Sequence, residues 1–249
     1  MKHKILHLYV SKRLRLIENQ LIEFSKEQKP ELLHRVRVNI KIIKALFSFT
    51  KYVGKISNKT LELNSIFQDA GKIRELQSHI KLLHDLPESS GFIIPDMEKE
   101  ADSLTDIFVK NIPGFVQKIE KFRHTHYVKK HFPGKKTIKN YFENQVRKTN
   151  KLNKNSDRKN LHDFRKKIKK IIYIFNFLSA KMQKATRLNK NKINDLQKNI
   201  GIWHDIHLTL TFLQNLNLQI NPEYMHKLMA LEKKLFSGVK NKKIKLRKK

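Results

Sequence analysis

No cysteine occurs among the 249 residues, which removes disulfide frameworks and thiolate metal sites from consideration and suits a reducing compartment. Glycine and proline are scarce, with 7 and 6 residues, while 39% of the chain is hydrophobic. That balance fits a packed helical protein better than a disordered basic one. Nowhere do about 18 apolar residues follow one another, so no spanning helix is expected. The first apolar run, Ile5 to Val10, contains His7 and gives way to Ser11, Lys12 and Arg13, which is too short for a signal-peptide core. A cytoplasmic location is the expectation.

Acidic residues are also few. There are 22 Asp and Glu against 54 Lys and Arg, a formal net charge of +32 at pH 7. A compact body with that charge repels itself until counterions or a bound polyanion relieve the field. The expected partner is therefore strongly anionic: polyphosphate, nucleic acid or an acidic membrane surface.

What the chain does contain is a repeat. The segment from Leu33 to Phe47 aligns without a gap on Leu161 to Phe175, with His34 matched to His162, Arg37 to Arg165 and Lys41 to Lys169. A second block follows in each half. Leu63, Ile66, Ala70, Ile73 and Ile80 match Ile193, Leu196, Ile200, Trp203 and Leu210, and Gly71 matches Gly201. Two blocks in the same order indicate a duplicated unit of about half the chain.

Apolar spacing of i, i+3, i+7, i+10 marks one face of a helix, and both second blocks carry it, as do Leu14, Ile17, Leu21 and Phe24. Strand-like alternation is absent, so the fold class is all-α. Breaks at Lys29-Pro30, Val53-Gly54, Pro87 to Pro95, Pro133-Gly134, Asn153 to Asp157 and Asn221-Pro222 predict four helices per copy. They should span 4–28, 30–52, 57–86 and 96–124, then 137–153, 157–182, 187–218 and 222–240. Pro113-Gly114 should kink or interrupt the fourth. The halves are 1–126 and 137–240, joined by a connector from His124 to Lys136. Residues 241–249, rich in lysine, read as a mobile basic tail.

With about 100° between successive helical residues, His34, Arg37, Lys41 and Lys44 share a sector about 80° wide. Val36, Ile40, Ile43 and Phe47 take the opposite, core-facing side. The second copy repeats the cationic line as His162, Arg165 and Lys169, widened by Lys166 and Lys170, over an apolar face of Phe164, Ile168, Ile171 and Phe175. An ordinary solvated lysine face would explain one such helix. The order histidine, then arginine three residues on, in both copies points further. Val38, Ile42 and Ala45 flank the first line, which suggests a partly shielded groove, and shielded cations need an anion.

These residues resemble the repeat of the conserved histidine α-helical domain, CHAD. Gly71-Lys72-Ile73-Arg74-Glu75 and Gly201-Ile202-Trp203-His204-Asp205 resemble that family's later motif. The resemblance implies two four-helix bundles related by a pseudo-two-fold axis, with basic helices lining a central channel that binds inorganic polyphosphate. It implies no catalysis and no cofactor, and would allow association with polyphosphate granules. Ile42 and Ile172 stand where the family usually has a further basic residue, Glu75 replaces Asp, and His204 replaces Asn.

On this reading Arg37 and Arg165 engage phosphate oxygens bidentately, and Lys41, Lys44, Lys166, Lys169 and Lys170 act as point charges. Arg74 and His204 join the polyphosphate-binding set. His34 and His162 donate hydrogen bonds, or else position a helix end. Glu75 and Asp205 cannot favour an anion directly and are assigned to holding neighbouring cations. Trp203 and Ala70 belong to the core.

Three other readings compete. RNA binding suits the charge and the 15 Phe and 6 Tyr, yet most aromatics lie on core-facing stripes. Binding to acidic membranes through basic helices is the second. A metal-dependent phosphohydrolase would need carboxylates alternating on a strand, whereas Glu98-Lys99-Glu100-Ala101-Asp102 falls in a predicted helix. His3 with His7, or His204 with His207, lack a third metal ligand at sensible spacing.

Overall fold

The computed structural model describes residues 3–54, 62–84, 93–125, 133–153, 157–215 and 222–246. They form helices α1 (His3–Glu27), α2 (Pro30–Gly54), α3 (Glu62–His84), α4 (Ile94–Thr125), α5 (Lys135–Leu152), α6 (Arg158–Phe177), α7 (Ala180–Ala185), α8 (Lys190–Asn215) and α9 (Pro222–Val239). Among the described residues there is no strand beyond an isolated antiparallel bridge, Leu188 to Leu246. The chain divides into two compact units, Met1–Phe132 and Pro133–Lys249. The predicted helix ends at 57–61, 85–86 and 216–218, and most of the connector, lie outside the described residues.

In the first unit α1 packs on α2, α2 on α3, α3 on α4, and α4 back on α1, closing a four-helix bundle. The turn from α1 to α2 is tight because Gln28 takes a left-handed conformation, its N–H donating to the Phe24 carbonyl at 2.9 Å. Pro30 then opens α2, where its missing N–H costs nothing. Leu14, Ile17, Leu21 and Phe24 are fully buried, as are Val36, Ile40 and Ile43 of α2. Each such side chain contributes about 1.5 to 3 kcal/mol by leaving water.

Pro113 does not interrupt α4, which continues from Ile94 to Thr125. Proline removes one backbone hydrogen bond and strains the preceding turn. Here Phe108, Ile112, Phe115 and Ile119 are buried on both sides of it, and that packing holds the two parts as one helix.

In the second unit α5 packs on α6, α6 on α8 and α8 on α9, with α7 against α5. The predicted helix over 157–182 is two elements. α6 begins at a side-chain cap, Asp157 accepting from the Asn160 N–H at 2.6 Å, and ends at Phe177 with Leu178 extended. The Gln183 side-chain amide donates to the carbonyls of Phe175 and Leu178, both at 3.0 Å, and so satisfies acceptors that a continuing helix would have paired. Arg187 is left-handed, and α8 starts three residues later than expected, with Asn189 accepting from the Lys192 N–H at 3.2 Å.

The chain after α9 is not a loose tail as far as residue 246. Asn241 reverses it with a positive φ, and Ile244 is buried. The Asn150 side chain of α5 accepts from the Ile244 N–H at 2.9 Å and donates to its carbonyl at 3.0 Å. Asn153, also fully buried, donates to the Lys242 carbonyl at 2.7 Å. Two asparagines thus fasten a lysine-rich strap whose composition alone suggests solvation.

Candidate functional site

The stripe of α2 faces α3. Val36, Ile40 and Ile43 anchor the far side of α2 in the core, which fixes the rotation of the helix and leaves Arg37, Lys41 and Lys44 half-buried on the near side. The three cations gather about one ring of α3. Arg37 Cζ lies 4.0 Å from the centroid of Phe67, Lys44 Nζ 4.5 Å and Lys41 Nζ 5.5 Å. The Arg37 guanidinium also donates to the Phe67 carbonyl.

Burial, reinforced by the neighbouring Arg74, pushes Arg37 below its ordinary pKa, and Glu75 opposes the shift. Burial and then Arg37 lower Lys44 likewise. These are cations held partly out of water and repelling one another. Arg74 on α3 therefore belongs to the same group, and Glu75 acts on Arg37 and His79. His34 is exposed at the start of the stripe.

In the second unit Phe164, Ile168 and Ile171 hold α6 as their counterparts hold α2. Arg165, Lys169 and Lys170 are half-buried, and burial is the first cause of a lowered pKa in each. Arg165 and Lys169 repel one another, and Asp205 on α8 opposes the shift in both. Lys170 stands about 140° around α6 from Arg165 and feels Lys167 instead. Lys166 is exposed and pairs with Asp163 at 3.3 Å. Arg165 and Lys169 are thus brought together with α8, whereas Lys166 and Lys170 stand to the side.

α8 adds histidines. His204 is only 8% exposed, its ring centroid 4.6 Å from that of His162. Burial, then Arg165, push His204 down to about 3, and burial lowers His162. Next to them His207 stacks on Trp203 at 5.2 Å and 10° between planes. Trp203 is fully buried, as its place on the apolar stripe predicts.

Glu232 of α9, 2% exposed, organises this end of the unit. Arg158 donates to its two oxygens, both at 2.8 Å, and the Trp203 indole N–H donates at 3.0 Å. His207 Nδ1 lies 3.4 Å from Oε1 but outside hydrogen-bonding alignment. The carboxyl is held below its usual range chiefly by Arg158.

Composition does not single out Phe67, Arg158 or Glu232. For Glu232 a signal exists: it occupies the buried register of Leu228 and Val239 on α9, where an acid demands a partner. Phe67 lies one turn before Gly71, and nothing in its own neighbourhood marks it.

A glycine meets the arginine in each unit. A Cβ built on Gly71 would overlap the Arg37 guanidinium, and one on Gly201 would stand 3.7 Å from Arg165 Nη2. The paired motifs, histidine-x-x-arginine on one helix and a glycine-led turn on another, meet in both. The CHAD domain family profile matches residues 9–214. The chain belongs to the CHAD family. Its fold is similar to the crystal structure of the CHAD domain from the plant Ricinus communis, with a TM-score of 0.64 and 14% sequence identity over 95% of this chain and 86% of that one. No curated protein matches it in sequence.

Elsewhere on this CHAD chain, Glu98, Glu100 and Asp102 are exposed on α4, Glu98 lying 3.2 Å from His84 Nε2. The side chain of His3 lies outside the described residues. Among the described residues no three His, Asp or Glu side chains are grouped as a metal site needs, and no helix is long and apolar enough to cross a membrane.

Proposed function

We propose that the chain binds inorganic polyphosphate through the half-buried cations of α2 and α6, without chemically altering it. The observation that carries this reading is the gathering of Arg37, Lys41 and Lys44 about the neutral ring of Phe67. Cations that are partly desolvated and mutually repelling raise the energy of the folded state until an anion lies among them. Arg165 with Lys169 repeats the condition in the second unit.

Polyphosphate is a regular line of negative oxygens without bases, so spaced cations suffice to hold it. Membership in the CHAD family, associated with polyphosphate binding in general, supports the same ligand. A polyphosphate-rich granule in the cytoplasm is the location this reading implies.

A competition experiment tests it. Long-chain polyphosphate and single-stranded RNA of equal charge are titrated against the full chain at one ionic strength. Stronger binding of polyphosphate is expected. Equal affinities contradict a dedicated site and leave a general polyanion binder. Release of orthophosphate from polyphosphate by the purified chain with added magnesium or manganese contradicts the non-catalytic part.

A further inference from the structure

Position 204 distinguishes the two units chemically. Matching Gly71 with Gly201 sets Arg74 of the first unit opposite His204 of the second. Arginine is a permanent cation, whereas an imidazole becomes one only by taking up a proton. His204 is nearly buried and packs on His162, and Nδ1 of each ring is buried with no hydrogen-bond partner. An unpartnered buried ring nitrogen costs stability. Two of them in ring contact, beside Arg165 and Lys169, are hydrogen-bonding groups that the bare chain leaves unsatisfied.

We propose that His162 and His204 form a proton-loaded phosphate subsite, in which one phosphate group of a polyanion binds together with protons taken up by the pair. The inference rests on the polyphosphate reading above and adds the proton as a second ligand of the same site.

The surrounding charges set the direction. From α6, Arg165, His162 and Lys169 disfavour a proton on His204, while Lys166 and Arg165 disfavour one on His162, where Asp163 opposes them. On α8 itself, His207 also repels charge on His204, and Asp205 acts on Arg165 and Lys169. From α9, Glu232 faces His207 and is already engaged by Arg158 and Trp203. Both histidines are therefore held neutral in the bare chain. A bound phosphate cancels the field of Arg165 and Lys169 and offers an acceptor oxygen to an imidazolium, so it raises both pKa values. Anion and proton then favour each other reciprocally.

Linkage fixes what is measured. Between the low pKa of the free site and the raised pKa of the complex, a histidine that becomes charged takes up one proton on binding, and repulsion between the two rings makes the first proton the easier to add. Affinity then rises about tenfold for each unit fall in pH per histidine. The matching position of the first unit, Arg74, contributes no such dependence.

The experiment follows the affinity of the full chain for long-chain polyphosphate at constant ionic strength, from about pH 8.5 to about pH 5, where ordinary imidazoles go from neutral to charged. Wild type is compared with His204→Asn and with His162→Asn/His204→Asn. The expected result is a rise in affinity toward acid pH whose logarithmic slope falls by up to about one for each histidine removed. A flat wild-type profile, or an unchanged slope in the double variant, overturns the proposal alone. Absence of binding at every pH overturns the polyphosphate reading and the proposal with it. Imidazole nitrogen chemical shifts of wild type at about pH 6 give a reading independent of the variants. Conversion of His162 or His204 to imidazolium on adding polyphosphate is expected, and rings that stay neutral in the complex overturn it.

Discussion

Gly71 of α3 leaves open the space that the Arg37 guanidinium of α2 occupies. A helix interior normally disfavours glycine by about 1 kcal/mol against alanine, so its place here is tied to the arginine it admits. Gly71→Ala should keep or slightly raise thermal stability, because a flexible side-chain end is what must move. It should displace Arg37 from Phe67 and weaken polyphosphate binding about tenfold, the loss of one charge-assisted contact of about 1.4 kcal/mol. Gly201→Ala meets Arg165 only at ordinary contact distance and should leave binding unchanged. Isothermal titration and melting curves of the two variants check the contrast.

The buried carboxylate of Glu232 predicts a stability change. Glu232→Ala strands the Trp203 indole N–H and one face of Arg158. Removing one partner of a buried pair costs about 3 to 5 kcal/mol, which half exposure of Arg158 reduces to about 2 to 4 kcal/mol. The sign with pH is definite. A carboxyl held below its unfolded pKa stabilises the fold above that value and loses the contribution as pH falls through the lowered one. Chemical denaturation of wild type and variant should therefore converge below about pH 4.

His204 shifts stability in the same direction over a higher pH range, through a ring held neutral rather than a carboxylate held charged. Its pKa falls from 6.5 to about 3 on folding, so the unfolded chain binds the extra proton between those values. Its contribution is full above pH 6.5 and falls by about 1.4 kcal/mol for each pH unit below that. His204→Asn should flatten the decline in melting temperature between about pH 6.5 and 5 without ligand, and thermal melts across that range measure it.

The strap after α9 also predicts more than a change in charge. Removing residues from Asn241 onward takes from Asn150 both of its hydrogen bonds to Ile244 and from the buried Asn153 the one to Lys242. A loss of about 2 to 4 kcal/mol is expected from the hydrogen bonds and the exposure of what Ile244 covers. Urea unfolding of the truncated chain measures it.

The apolar spacing of α1, α2, α6 and α8 suffices to place those helices, because burial alone decides which face turns inward. The cationic lines follow from the same rotation. What sequence spacing does not contain are contacts between elements chosen by single side chains. Gln183 ends α6 with no glycine or proline to announce it, and Asn150 docks a strap that reads as solvated. Phe67 gathers three cations without any local mark. Pro113 shows the converse: a strong local signal is overruled by apolar packing on both sides of it.

The most direct test is retention on immobilised long-chain polyphosphate of a variant carrying Arg37→Gln, Lys41→Gln, Arg165→Gln and Lys169→Gln, with helicity followed by circular dichroism. These side chains lie off the buried faces of α2 and α6, so helicity should equal that of wild type while retention is lost at moderate salt. Wild-type retention by a fully helical variant would contradict the assignment of the ligand to these two helices.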